Sequence, residues 1–135
     1  IVGSHPHVLQ KMEYFPATEG DHEHFIAYSL GNFVSNQRTR KRDGGAMLKL
    51  TLRKNKEDVQ ISNSGYYLTW VSRPVIDDKT MYEIIPCSQF EAHDFYDLDI
   101  ESKEKMKVFM ADSRALLEKE NIAVVEIKAN SNTNK

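Results

Sequence analysis

AMLKLTLRK, residues 46–54, is the stretch on which the fold class turns. Successive side chains of a strand point to opposite sides. Ala46, Leu48, Leu50 and Leu52 therefore share one face, and Lys49, Thr51 and Arg53 share the other. This period of two marks a strand with one side on a core and the other in water. Asn55-Lys56-Glu57-Asp58 makes a polar turn, and Val59 and Ile61 resume the alternation, so a hairpin is expected. Gly65 is expected to interrupt it, with Tyr66 to Val71 continuing as a further extended, aromatic-rich piece.

Upstream of this strand, His24 to Leu30 reads as a largely buried strand stopped by Gly31-Asn32. Val8 to Phe15 reads as a short extended segment closed by Pro16. ATEGDHEH (17–24) reads as a solvated turn with nothing to bury, and NQRTRKRDGG (36–45) as a charged loop. Downstream, Met81 to Ile85 is a short strand before Pro86. Helical periodicity appears in Lys103 to Glu120, where Met106, Phe109, Met110, Leu116 and Leu117 recur near 3.6 residues. Ser102 is expected to cap its start and Asn121 to end it in a left-handed turn. The expected class is α+β: mainly antiparallel strands and one long amphipathic helix (103–120) in a single unit, 1–127. A polar, disordered tail (128–135) follows.

A chain of 135 residues suits one domain. Its net charge of −2 gives no general attraction to nucleic acid or anionic membrane. Cys87, the one cysteine, allows no internal disulfide. No run approaches the roughly 18–20 apolar residues that cross a bilayer. Ile1-Val2 reads as the last step of a strand whose beginning is missing, so the chain is expected to be the C-terminal piece of a longer protein.

Behind that stub stands His5-Pro6-His7. Proline biases the residue before it towards extended geometry, and in an extended segment residues i and i+2 face the same way. Two imidazoles so placed suit one metal, or a metal pair about 3.5–4 Å apart, with Zn, Mn or Fe fitting nitrogen ligands. The plainer reading is two loop histidines without a ligand. Two nitrogens are in any case too few, because even a catalytic zinc takes about three protein ligands. His22 and His24 repeat the spacing inside a polar turn, and His93 lies among acids; both read as surface histidines.

GSHPHVLQ (3–10) followed by IAYSLGNFVSNQ (26–37) resembles the C-terminal part of the CapA family, the poly-γ-glutamate or capsule-synthesis proteins built on a calcineurin-like metallophosphoesterase fold. GAMLKLTL and YYLTWVSRP fit the continuation more loosely. The resemblance implies a partial layered metallophosphoesterase-like sandwich and a two-metal site (Mn, Zn or Fe) to which His5 and His7 contribute. It also implies a place at the cell envelope. The wider superfamily writes the element G-H-x-H, whereas this chain has one residue more, Ser4, after Gly3. The superfamily's early Asp, Gly-Asp and Asn-His motifs are absent. The chain alone is therefore expected to be inactive and to bind no metal by itself.

The resemblance sets Asn32 beneath the active-site rim, as a substrate contact, a brace for the histidine loop, or simply a turn residue. Arg38, Arg40, Lys41 and Arg42 are either solvated surface or a basic loop that draws in a polyanion, phosphoester or polycarboxylate alike. Tyr66, Tyr67 and Trp70 read as sheet core rather than a ligand platform. Cys87 with His93 lacks the third group and the oxyanion element a thiol hydrolase needs. Two functions follow as expectations. One is a share of a metal-dependent enzyme of capsule or poly-γ-glutamate assembly, completed by the missing N-terminal part and acting on an acidic polymer or phosphoester. The other is a non-catalytic polyanion-binding scaffold at the envelope. Self-association through an exposed sheet is expected as well.

Overall fold

In the computed structural model, which describes residues 1–37, 39–56, 58–93 and 96–129, the alternating stretch forms the expected hairpin. β1 (Met12–Phe15) and β2 (His24–Ala27) precede it. β3 (Gly44–Asn55) and β4 (Asp58–Ser72) then pair antiparallel, from Gly44 opposite Trp70 to Asn55 opposite Asp58. Gly44 and Gly45, expected in a loop, already belong to β3. Arg38 and residues 130–135 of the expected tail lie outside the described residues.

Burial is deepest at the base of the hairpin. There Ala46, Tyr66, Leu68 and Trp70 are buried, so the aromatic residues Tyr66 and Trp70 are core, as expected. Beyond it Ile61 still packs against the core, whereas Leu52 keeps the alternation yet is 61 % exposed. A bulge separates the halves: Thr51 faces Asn63 and Leu52 faces Ile61, leaving Ser62 as the extra residue.

Gly65 does not interrupt β4, which runs straight through it. The reason for a glycine there is a close neighbour. β8 (Val125–Glu126) joins β4 in parallel, Val125 opposite Gly65, and a Cβ on Gly65 would lie 2.8 Å from Ile127 Cγ1. β7 (Glu83–Pro86) pairs antiparallel with Thr69–Ser72 of β4, starting later than the strand read from Met81. β5 (Val75–Ile76) and β6 (Lys79–Thr80) make a small separate ribbon.

Two helices cover this sheet. α1 (Cys87–Ala92), which periodicity did not reveal, follows Pro86 directly. α2 (Ile100–Glu120) starts three residues earlier than expected because Asp99, not Ser102, is its cap. The Asp99 carboxylate accepts from Ser102 N at 2.8 Å and from Ser102 Oγ at 2.7 Å. A cap of this kind is worth about 1 kcal/mol. The expected apolar stripe is present, with Met106, Phe109, Met110 and Leu117 buried. Together with Met12, Leu68, Trp70 and Ile85 they form one core, each large apolar side chain stabilising it by about 1.5–3 kcal/mol. Arg114 locks the layers, binding Glu91 of α1 through two nitrogens (both 2.7 Å) and Glu126 of β8 through two (both 2.8 Å).

Asn121 does not end α2 in a left-handed turn; its φ is −71°. Its side chain serves the smaller sheet instead, accepting from Met12 N at 2.8 Å, so that Ile122 can pair with β1 on the edge opposite β2. On β2's other edge Val2 bridges Ala27 in parallel. The architecture is α+β with mainly antiparallel sheets, as expected. Among the described residues no helix is long and apolar enough to cross a membrane.

Candidate functional site

Beyond β2 the chain leaves the small sheet and meets the large one. Leu30 N donates to Gly3 O, while Leu30 O accepts from Ala46 N. Gly31 then bridges Gly45 with φ +71°, a left-handed position where a Cβ would sit 3.0 Å from Gly44 O. This turn delivers Asn32, 3 % exposed, into the space between the His5–His7 loop and the start of β3.

The loop itself departs from the extended geometry expected of His-Pro-His. His7 N donates to Ser4 O at 3.1 Å, so Ser4 to His7 close a tight turn around His5 and Pro6. Proline kept His5 out of a helix but did not keep the segment straight, and the argument that i and i+2 face alike does not apply. His7 itself has φ +58°. For a residue with a Cβ that costs roughly 1–2 kcal/mol. It is held there by its amide on one side and by its ring on the other, where Nδ1 lies 2.6 Å from Asn32 Oδ1. Of the roles open to Asn32, bracing the histidine loop is the one the hydrogen bonds support. His5 and His7 are both exposed.

Asn32 is braced in its turn. Its Nδ2 donates to Arg42 O at 2.7 Å and its backbone N to Gly44 O at 3.1 Å. The basic loop thus touches the histidine turn through its backbone. Its side chains are less free than the sequence suggests. Arg40 forms an ion pair with Asp112 of α2, and its other guanidinium nitrogen is 3.8 Å from the buried Asp43. Lys41 and Arg42 are exposed. Nothing local in the sequence links Arg40 to Asp112, 72 residues away.

A groove of about 710 Å³ opens beside this loop. Leu9 and Phe109 are among its apolar lining, and Lys11, Arg40, Lys41, Asp112 and Glu120 supply its charges. Val8, the residue after His7, lines it, and neither histidine does.

A divalent metal suits part of this arrangement. A ring anchored through Nδ1 to an amide oxygen presents Nε2 outward, as metal-ligating histidines do. His5 and His7 supply at most two nitrogens. Among the described residues no group of three or more His, Cys, Asp or Glu could hold a metal ion. The remaining candidates are structural. Glu23, in the turn expected to bury nothing, accepts from Ile61 N at 2.7 Å and from the Tyr14 hydroxyl at 2.8 Å. His22 is exposed, and His24 packs on Phe15 with ring centroids 4.8 Å apart. Cys87 is fully buried, and burial pushes its thiol pKa far up, which removes it as a nucleophile.

Comparison with known proteins bears on the same end of the chain. Residues 1–37 match the model of the bacterial capsule synthesis protein family PGA_cap. The chain is 48 % identical over 56 residues to the PGA biosynthesis protein CapA of Bacillus subtilis (strain 168), a stretch covering 41 % of this chain and 13 % of the relative. The chain thus spans only a small part of that relative's length. No solved structure matches the fold.

Proposed function

From a chain whose first 37 residues match the model of the capsule synthesis family PGA_cap, we propose that His5 and His7 are ligands contributed to a divalent metal centre that serves capsule or poly-γ-glutamate synthesis. The observation carrying this reading is the His7–Asn32 hydrogen bond at 2.6 Å, which spends a buried amide and a left-handed backbone on orienting an exposed imidazole. Further ligands would come from elsewhere in the protein, within a metallophosphoesterase-like sandwich of which this chain forms one part. When bound, a metal pair of Mn, Zn or Fe would activate water or polarise a substrate oxygen. This chain's own share is to aim Nε2 of His7, hold the turn, and offer Lys41 and Arg42 to an acidic polymer or phosphoester. Capsule synthesis points to the cell envelope as the place of work.

Metal analysis of the full-length protein, in which the further ligands are supplied, tests the ligand assignment. His5→Gln and His7→Gln are each expected to lower the bound Mn, Zn or Fe. Metal content unchanged in both variants rejects it. A second reading, a polyanion-binding scaffold without turnover, is favoured by Lys41 and Arg42 standing exposed beside the groove. Salt-independent binding of polyglutamate, or none, rejects that reading.

A further inference from the structure

We propose that Asn32 is a positioning residue that fixes which nitrogen of His7 carries the proton. Three observations lead there. Arg42 O is a carbonyl and accepts only, so the amide atom 2.7 Å from it must be the NH2 group. That leaves the amide oxygen of Asn32 facing His7 Nδ1 at 2.6 Å. The reverse orientation would press the amide oxygen against a carbonyl oxygen, two acceptors with no proton between them. The amide oxygen accepts only, so His7 must donate from Nδ1. A neutral imidazole has one donor and one acceptor nitrogen, and the lone pair therefore sits on Nε2.

The order of events along the chain follows. The Arg42 carbonyl orients Asn32, Asn32 orients the ring of His7, and the ring presents a lone pair outward before any ligand arrives. Asn32 is 3 % exposed, so its own amide is held by these two bonds rather than by bulk water. The basic loop and the histidine turn become one unit, since displacing Arg42 removes the group that keeps the amide from turning over. The inference deepens the metal-ligand reading, because Nε2 is the atom a cation would use. The proton placement itself holds whether or not a cation binds.

The experiment is a long-range proton–nitrogen correlation spectrum of 15N-histidine-labelled chain, without metal and at a pH where imidazoles are neutral. His7 is assigned by His7→Gln. His7 is expected to show one form, protonated at Nδ1 and bare at Nε2. Asn32→Ala is expected to lose it and give a mixture, with the remaining amide spectrum unchanged. A native ring protonated at Nε2, or an Asn32→Ala ring that stays in the single Nδ1–H form, overturns the proposal. Should Asn32→Ala not fold, the native spectrum decides alone, an Nε2–H ring overturning it. Metal content of the full-length protein separates the two readings: content unchanged by His7→Gln sinks the metal assignment and leaves the proton assignment standing.

Discussion

The chain contains two His-x-His stretches, and they come to opposite ends. His5-Pro6-His7 closes a turn and has its second ring tied to a buried amide. In His22-Glu23-His24 the middle residue does the structural work. Glu23 reaches across to the hairpin beside the β-bulge and accepts from the Ile61 amide, while the histidines stay outside. Spacing is shared; what differs is the tertiary partner waiting opposite. A pair of histidines is a candidate site when something buried is spent on aiming it, and the second pair has no such support.

The largest effect that sharpens this contrast is expected from Glu23→Ala. It takes the acceptor from the Ile61 N–H and leaves the Tyr14 hydroxyl only its longer bond to Ile61 O at 3.2 Å, and hydrogen bonds to charged groups contribute about 1.5–3 kcal/mol. Urea unfolding should show a loss of that order, and a change below about 0.5 kcal/mol would mean that the Ile61 N–H finds another acceptor. A smaller, pH-dependent signature follows from Tyr14. Its hydrogen bond to Glu23 is the leading cause that holds the phenol pKa above the usual value of 10.0. A group whose folded pKa is raised contributes stability that is complete below its unfolded pKa. That contribution should fade as pH climbs past 10 through the raised folded value, and Glu23→Gln should shrink the slope. Equal slopes in the two proteins would contradict the assignment. Smallest of all, His22→Ala should leave stability within about 0.5 kcal/mol. His24→Ala should cost no more than about 1 kcal/mol through its contact with Phe15. A larger loss from His22→Ala would break the comparison.

Legibility in the sequence varied with the range of the forces involved. The β3–β4 hairpin and the stripe of α2 were readable because alternation and the 3.6-residue period are local consequences of backbone geometry. Helix ends were less so: Ser102 and Asp99 are both good caps, and only the hydrogen bond from Ser102 N to the Asp99 carboxylate shows which one caps. Gly65 looked like a break because a bare glycine gives no sign that Ile127, far along the chain, packs over it. At the site, His7 and Asn32 could be named from sequence, though the turn that presents His7 could not. Proline restricts one residue's dihedrals and does not determine how three neighbours close on Ser4.

Sequence by itself determined the period of each main element, the hairpin, the amphipathic helix, and the presence of a short family-like segment carrying two histidines. Tertiary structure alone decided that Arg40 answers to Asp112, that Glu23 accepts from the Ile61 amide, that Asn121 feeds a strand, and that Asn32 stands between the His7 ring and the Arg42 carbonyl. The division has a plain physical cause. A residue's preference for helix or strand acts through its own dihedrals and near neighbours. The partner of a buried polar atom depends on which distant segment the whole chain brings within about 3 Å of it.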